Sequence, residues 1–229
     1  MSKTVSEPEK NLTPLNSRPG IASRMFVAAT ALALALLLSF LFTRYSAYRT
    51  VQQDFYGQAL VPANPAFDFH LVDQDGKPFH LGQMRGKAVL FSFGFTHCPN
   101  VCPTTLSDLA KIYQALPDKD REKVQVLFIS VDPNRDKPET MKNYVPYFNS
   151  SFLGLTGTDT QVAAAAKAYG AYYDVVHDSG EDPSVYTVNH SALTYLIGPD
   201  GKWKLLYNFD QLSDSIKVVR DLEQVLAGA

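Results

Sequence analysis

Cys98 and Cys102 are the only cysteines in a chain of 229 residues, and both lie in Phe95-Thr96-His97-Cys98-Pro99-Asn100-Val101-Cys102-Pro103. A strand-like run, Ala88-Val89-Leu90-Phe91-Ser92-Phe93, leads into them, and a helix-like run beginning at Thr104 leads away. The pair therefore falls on a strand-to-helix turn. There the helix macrodipole and the free N–H groups of a helix start favour thiolate over thiol. Thiolate attacks disulfides, reacts with peroxides and binds soft metals, so this is a thiol site. Cysteines four apart at a helix start can point the same way, about one turn apart. That spacing leaves room for a shared metal ion, and a disulfide is open to it if the turn stays flexible. As a purely structural staple the pair is poor, because it closes so short a loop. Pro99 and Pro103 stiffen the turn, and Pro103 suits a first helical position, where its missing N–H costs nothing.

The elements that must position this turn alternate between strand and helix. Strands are expected at 67–72 and 78–80, joined across Asp73-Gln74-Asp75-Gly76 as a hairpin. A central strand at 88–93 and a helix at 104–116 follow, then a buried apolar strand at 123–131. Further along come a helix at 137–149, a short strand at 152–156 and a helix at 160–169. Strands at 191–197 and 202–209 pair across Gly198-Pro199-Asp200-Gly201, and a last helix covers 212–226. This order, with a thiol turn after an early strand, is an α/β, thioredoxin-like layout: a central mixed sheet flanked by helices. The layout alone gives no function.

In such a layout the loop entering the strand at 191–197 faces the thiol turn. Thioredoxins carry a cis-proline there. This chain has none, and in Tyr186-Thr187-Val188-Asn189-His190-Ser191 it places His190 at the strand's mouth. Two thiolates and one imidazole form a compact, soft ligand set suited to copper or zinc. The other histidines are weaker candidates. His97 adjoins Cys98 and points away from it, His70 and His80 fall on the early hairpin, and His177 lies on an excursion at 175–188. Asp132-Pro133 ends the buried strand at the sheet edge where sites gather. The segment that follows, Asn134-Arg135-Asp136-Lys137-Pro138, suits a solvated loop with a helix cap or a docking edge equally well.

Residues 25–43 are uncharged, rich in Ala and Leu, and bracketed by Arg24 and Arg44. Nineteen residues at ~1.5 Å rise come close to the ~30 Å hydrocarbon thickness of a bilayer. A cleaved signal peptide is the rival, but the stretch is long for one and no Ala-x-Ala site follows. Lys3, Lys10, Arg18 and Arg24 before the span, against Arg44 and Arg49 after it, favour an N-terminus inside. The expected organisation is a cytoplasmic tail at 1–24, a transmembrane anchor at 25–43, a stalk at 44–65 and one domain at 66–229. The setting expected is a bacterial inner membrane with the domain in the periplasm, the alternative being a mitochondrial inner membrane facing the intermembrane space. The formal net charge is −2 and no basic patch with interleaved aromatics appears, which argues against nucleic acid. The four methionines are scattered, which excludes a Met-rich copper cluster, and neither a P-loop nor Gly-x-Gly-x-x-Gly is present.

With these residues in view, the chain resembles the Sco/SenC family of membrane-anchored copper-binding proteins needed to assemble cytochrome c oxidase. Three segments carry the resemblance: Gly94 to Pro103, Ser130 to Pro138, and Val188-Asn189-His190-Ser191. It implies that copper, Cu(I) or Cu(II), is held by Cys98, Cys102 and His190. It implies delivery to the copper A site of cytochrome c oxidase subunit II, with a thiol reductant or upstream copper donor as a further partner. Many members have Asp where this chain has Asn100 and Asn189, which leaves the surroundings of the site less negative. On this reading the protein is a metallochaperone rather than an enzyme. The runner-up is a thiol–disulfide oxidoreductase that uses Cys98 and Cys102 to reduce the acceptor's copper-site cysteines. A thiol peroxidase ranks last, because it gives His190 nothing to do.

Overall fold

The computed structural model describes residues 20–177 and 185–228, so the expected tail at 1–24 falls, up to residue 19, outside the described residues. The chain divides into two compact units, one ending at Ala47 and one from Tyr48 to Ala229.

Helix α1 runs from Ile21 to Asp54. Its stretch Ile21–Tyr48, 28 residues, is long and apolar enough to cross a membrane. Phe26, Leu34, Leu38 and Phe40 are all exposed on it, as suits a lipid-facing surface. The apolar stretch exceeds the expected 25–43 at both ends. Arg24 and Arg44 thus lie inside the apolar stretch Ile21–Tyr48, each within four residues of one of its ends.

The expected stalk at 44–65 is not a linker. Helix α1 continues to Asp54, and β1 (Gln58–Pro65) pairs antiparallel with β10 (Lys202–Asn208). Prolines at 62 and 65 and a largely exposed face hid this strand, but an edge strand tolerates a missing N–H. The turn before β1 is anchored by the buried Asp221, whose carboxylate accepts the amides of Tyr56 (2.9 Å) and Gly57 (2.8 Å) and the Tyr207 hydroxyl (3.0 Å).

The other strands are β2 (His70–Asp73), β3 (Pro78–His80), β4 (Ala88–Gly94), β5 (Val124–Ser130), β6 (Leu153–Thr156), β7 (Tyr173–His177), β8 (Tyr186–His190) and β9 (Leu193–Ile197). Eight strands make one sheet in the order β1-β10-β9-β4-β5-β6-β2-β3. β4, β5 and β6 are parallel and the remaining pairs antiparallel, giving the expected mixed sheet. β4 is buried along its whole length and β5 nearly so, which is why both are mostly apolar runs, broken only by Ser92 in β4 and by Gln125 and Ser130 in β5. Helices α2 (Val101–Ala115), α4 (Pro138–Phe148), α5 (Asp159–Ala168) and α6 (Ser215–Ala227) follow the expected segments within a few residues, and α3 (Asp118–Arg121) is a single extra turn. α2 packs against α6 and α4.

The excursion at 175–188 is a second departure. β7 and β8 pair antiparallel with each other as a separate two-stranded sheet, and the residues between 177 and 185 lie outside those described. Among the described residues of β7 and β8 only Val188 is buried, so no apolar alternation marks these strands in the sequence.

Candidate metal centre

The site forms where β4 hands over to α2. β4 ends at Gly94, and α2 begins at Val101. Cys102 therefore sits in the first helical turn, while Cys98 precedes the helix instead of riding it one turn below. Pro103 is correspondingly the third helical residue, still among the positions whose N–H has no partner inside the helix. Asn100 at the N-cap makes no side-chain cap. The Cys98 sulfur supplies an acceptor instead, taking the Cys102 amide at 3.4 Å.

This geometry separates the two sulfurs electrostatically. A hydrogen bond from the Cys102 thiol, more than offsetting partial burial, lowers the Cys98 pKa to about 4, with help from the Cys102 and Asn100 amides. Cys102 is buried, and its thiol is pushed far up by that same hydrogen bond to the Cys98 sulfur and by burial. The pair thus holds one proton, and Cys102 keeps it. Both cysteines are free thiols in this structure.

His190 closes the group as the last residue of β8. Its Nδ1 lies 3.1 Å from the Ser191 carbonyl oxygen, an acceptor, so Nδ1 carries the ring proton. Nε2 is left with its lone pair facing Cys102 Sγ at 3.2 Å. An imidazole fixed by a carbonyl on one nitrogen and open at the other is the arrangement metal-binding histidines adopt. Phe95 sets its ring edge-on to the imidazole, with centroids 5.8 Å apart at 89°. One ligand atom from each of Cys98, Cys102 and His190 lies within 4.8 Å of the others. Sulfur and nitrogen ligands sit ~2.0–2.3 Å from a metal, which for a trigonal site means about 4 Å between ligand atoms. The three side chains fit such a site with little movement.

Gly94 makes room for this arrangement. A Cβ built there would lie 2.7 Å from Cys102 Sγ and 2.6 Å from the Phe128 ring. Beneath the turn, the fully buried Asp136 binds three donors through its two oxygens: the Thr96 amide (3.0 Å), the Thr96 hydroxyl (2.5 Å) and the Ser130 hydroxyl (2.6 Å). Asp136 therefore ties the approach to Cys98 to the end of β5. Asp132 is buried as well, so the solvated-loop reading of this segment holds only for exposed positions such as Asn134. The roles of Asp132 and Asp136 were not legible in the sequence. Their signal was a pair of Asp residues, four apart, directly after a mostly apolar strand.

The structure thus brings together Cys98, Cys102 and His190 and leaves the other histidines outside the group. His97 is exposed, its Nδ1 3.1 Å from Thr96 Oγ1 and 4.0 Å from the Asp136 carboxylate. His70 and His80 stack across β2 and β3 at 5.3 Å, with His80 Nδ1 3.2 Å from Asp68. His177 lies against the Tyr186 ring. Asn100 and Asn189 are exposed.

Comparison with known proteins agrees with this geometry. A mitochondrial SCO2 protein of Saccharomyces cerevisiae is 40% identical over 157 residues, 68% of this chain and 52% of that protein, so the match spans about half of the relative's length. A solution structure of apo Sco1 from Thermus thermophilus is 43% identical with a TM-score of 0.68, covering 75% of this chain and 96% of that one. A structure of Bradyrhizobium japonicum ScoI with copper bound is 37% identical with a TM-score of 0.62, covering 70% of this chain and 99% of that one. The SCO1/SenC family model matches residues 58–227, from the first sheet strand to the last helix. The chain belongs to the SCO1/SenC family.

Proposed function

We propose that the protein is a membrane-anchored copper chaperone that carries Cu(I) on Cys98, Cys102 and His190 and passes it to the copper A site of cytochrome c oxidase subunit II. The observation that carries this reading is the meeting of two sulfurs and an imidazole nitrogen within 4.8 Å. Thiolates select soft Cu(I), whereas structural zinc takes a fourth ligand. Cys98 is already a thiolate at neutral pH, and an incoming ion takes the place of the one proton that Cys102 still holds. Three ligands, two of them only half-buried, let an acceptor ligand enter before a donor leaves, so the ion is never free in water. The apolar helix holds donor and acceptor at one membrane surface, which raises their effective concentration. The domain lies on the periplasmic side in this reading, where the acceptor site is also exposed. Copper held by the Bradyrhizobium relative and the family resemblance support the choice of cargo and acceptor.

One observation favours a second role. An accessible cysteine with a lowered pKa beside a buried one that keeps its proton is the asymmetry a dithiol reductant uses. The Cys98 thiolate would attack a substrate disulfide to form a mixed disulfide. Cys102, losing its proton, would then displace the reduced substrate and leave a Cys98–Cys102 disulfide.

Both readings meet their test in three variants of the full chain, Cys98→Ser, Cys102→Ser and His190→Ala. The expected outcome is one Cu(I) per reduced wild-type chain, weakened binding in all three variants, and failure of all three to assemble active oxidase when copper is scarce. Assembly that survives His190→Ala but fails in Cys98→Ser would overturn copper delivery in favour of the reductase.

A further inference from the structure

We propose that Arg135 is a positioning residue for the metal site: it latches the β7–β8 hairpin, and with it His190, against the cysteine turn. The inference rests on the reading of His190 as a metal ligand. Cys98 and Cys102 are placed by the end of β4 and the start of α2, both built into the main sheet and its helices. His190 is placed differently. It ends a strand whose only sheet partner is β7. At the base of the hairpin the Ser191 amide donates to the Tyr172 carbonyl at 2.8 Å, and the Tyr172 amide to Ser191 Oγ at 2.9 Å. These bonds join the two ends of the hairpin to each other, while Val188 of β8 is buried in the core and Tyr173 of β7 packs against that core, apolar contacts that hold the hairpin down without a directional tie to the cysteine turn.

That angle is set at Tyr186, the other end of β8. The Arg135 Nε donates to the Asp132 carboxylate, and its NH1 donates to the Tyr186 carbonyl at 2.9 Å. The Tyr186 hydroxyl donates to the other Asp132 oxygen at 2.8 Å. The guanidinium carbon lies 3.7 Å from the Tyr186 ring centroid, a close cation–π stack. Arg135, Asp132 and Tyr186 thus form a closed ring between the loop after β5 and the start of β8. The Arg135 side chain is 22% exposed and that of Asp132 2%, so opening the ring strands a buried carboxylate. Arg135 also lies 5.8 Å from the Phe95 ring, the ring that meets His190 edge-on. A planar, forked cation can serve all of these contacts together, whereas a lysine ammonium cannot.

The consequence is a site with two rigid ligands and one conditional ligand. With the ring closed, copper has three ligands; with it open, the two sulfurs remain and the imidazole side is free for an acceptor. Affinity then scales with the fraction of molecules whose hairpin is docked.

The test is a double-mutant cycle on the full chain, combining Arg135→Leu with His190→Ala and measuring Cu(I) affinity by competition with a chromophoric chelator. If loss of the latch cuts the docked fraction to about a tenth, Arg135→Leu weakens binding about tenfold in the wild-type background. In the His190→Ala background it should change binding less than about twofold, since the ligand it positions is gone. Tyr186→Phe, which loses only the hydroxyl to Asp132, should fall between wild type and Arg135→Leu, and Arg135→Lys should recover little. A second readout needs no metal: Arg135→Leu should speed amide exchange along β8 and shift the His190 ring nitrogen resonances, while Cys98 alkylation stays unchanged. Equal losses of affinity in both backgrounds, or unchanged β8 exchange and His190 resonances, would overturn the latch. Should wild-type protein bind no copper, the copper reading fails, and the metal-free measurements still decide the role of Arg135.

Discussion

Alanine in place of Gly94 puts the packing around Cys102 to a quantitative test. The added Cβ would lie 2.7 Å from Cys102 Sγ and 2.6 and 2.8 Å from two atoms of the Phe128 ring. Comfortable carbon contacts are ~3.5–4.0 Å, so each neighbour must give by about 1 Å. The Phe128 ring cannot retreat easily, because it is 1% exposed and its strand is locked in register beside β4. The sulfur can, since it faces the recess it shares with His190. The strain therefore resolves largely as a displacement of Cys102 Sγ. Overpacking should cost about 1–3 kcal/mol of stability. In a chain this size that lowers Tm by roughly 2–12 °C. Misplacing one ligand should weaken Cu(I) binding about 10- to 100-fold, the scale seen when supports of a metal ligand are lost. Gly154→Ala is the control. Its Cβ would meet Val145 and Met141 side-chain atoms at 2.9 and 3.0 Å, a similar crowding that involves neither sulfur directly. Urea denaturation gives the stability of both variants and chelator competition their Cu(I) affinity. Comparable destabilisation is expected, with affinity lost only in Gly94→Ala. A destabilised Gly94→Ala protein that binds copper as tightly as wild type would refute the reasoning.

Four further outcomes follow from the same structure. Cys98 should react rapidly with iodoacetamide at pH 6, the rate falling only as pH drops toward its pKa of about 4 and the thiolate is protonated, while Cys102 stays unmodified until the protein unfolds; a Cys98 rate that already declines below pH 8 would contradict this. Cu(I) binding at pH 7 should release one proton per ion from the thiols, measured by pH-stat titration, since only Cys102 still holds one; release of two would mean that Cys98 is not ionised beforehand. Asp221→Ala should lower stability by about 3 kcal/mol or more, because it strands two amides and a hydroxyl in the interior, and should leave Cu(I) affinity unchanged. A reporter fused after Ala229 should be active only when of the kind that requires export; recovery of a shortened, soluble periplasmic form would show that the apolar segment is cleaved.

Much of the fold and part of the site are legible in the order of the residues. The two cysteines declare thiol chemistry by type and spacing, whereas the lowered pKa expected of a helix start appears only at Cys98, chiefly through the Cys102 thiol, and Cys102 inside the helix goes the other way. β4 and β5 stand out as apolar runs because both faces are covered. The long segment near the N-terminus stands out because it is built almost wholly from Ala, Leu, Phe and other apolar residues, without a charge or a turn residue to break it. All of these are local signals, carried by residues adjacent in the chain.

What tertiary structure decided is long-range and mostly hydrophilic. His190 meets Cys102 across 88 positions. The sequence suggested that meeting only through an assumed layout, whereas the hydrogen bond to the Ser191 carbonyl shows which nitrogen faces the sulfur. β1 passed for a stalk because an exposed edge strand carries no apolar alternation, and its identity comes from β10, more than a hundred residues away. The β7–β8 hairpin was hidden for the same reason. Asp132, Arg135 and Asp136 could be taken for solvated loop residues because charge usually marks the surface. Here burial reverses that expectation: each carboxylate is surrounded by donors brought from Thr96, Ser130, Arg135 and Tyr186, and a charge stays inside a protein only where the fold supplies such partners.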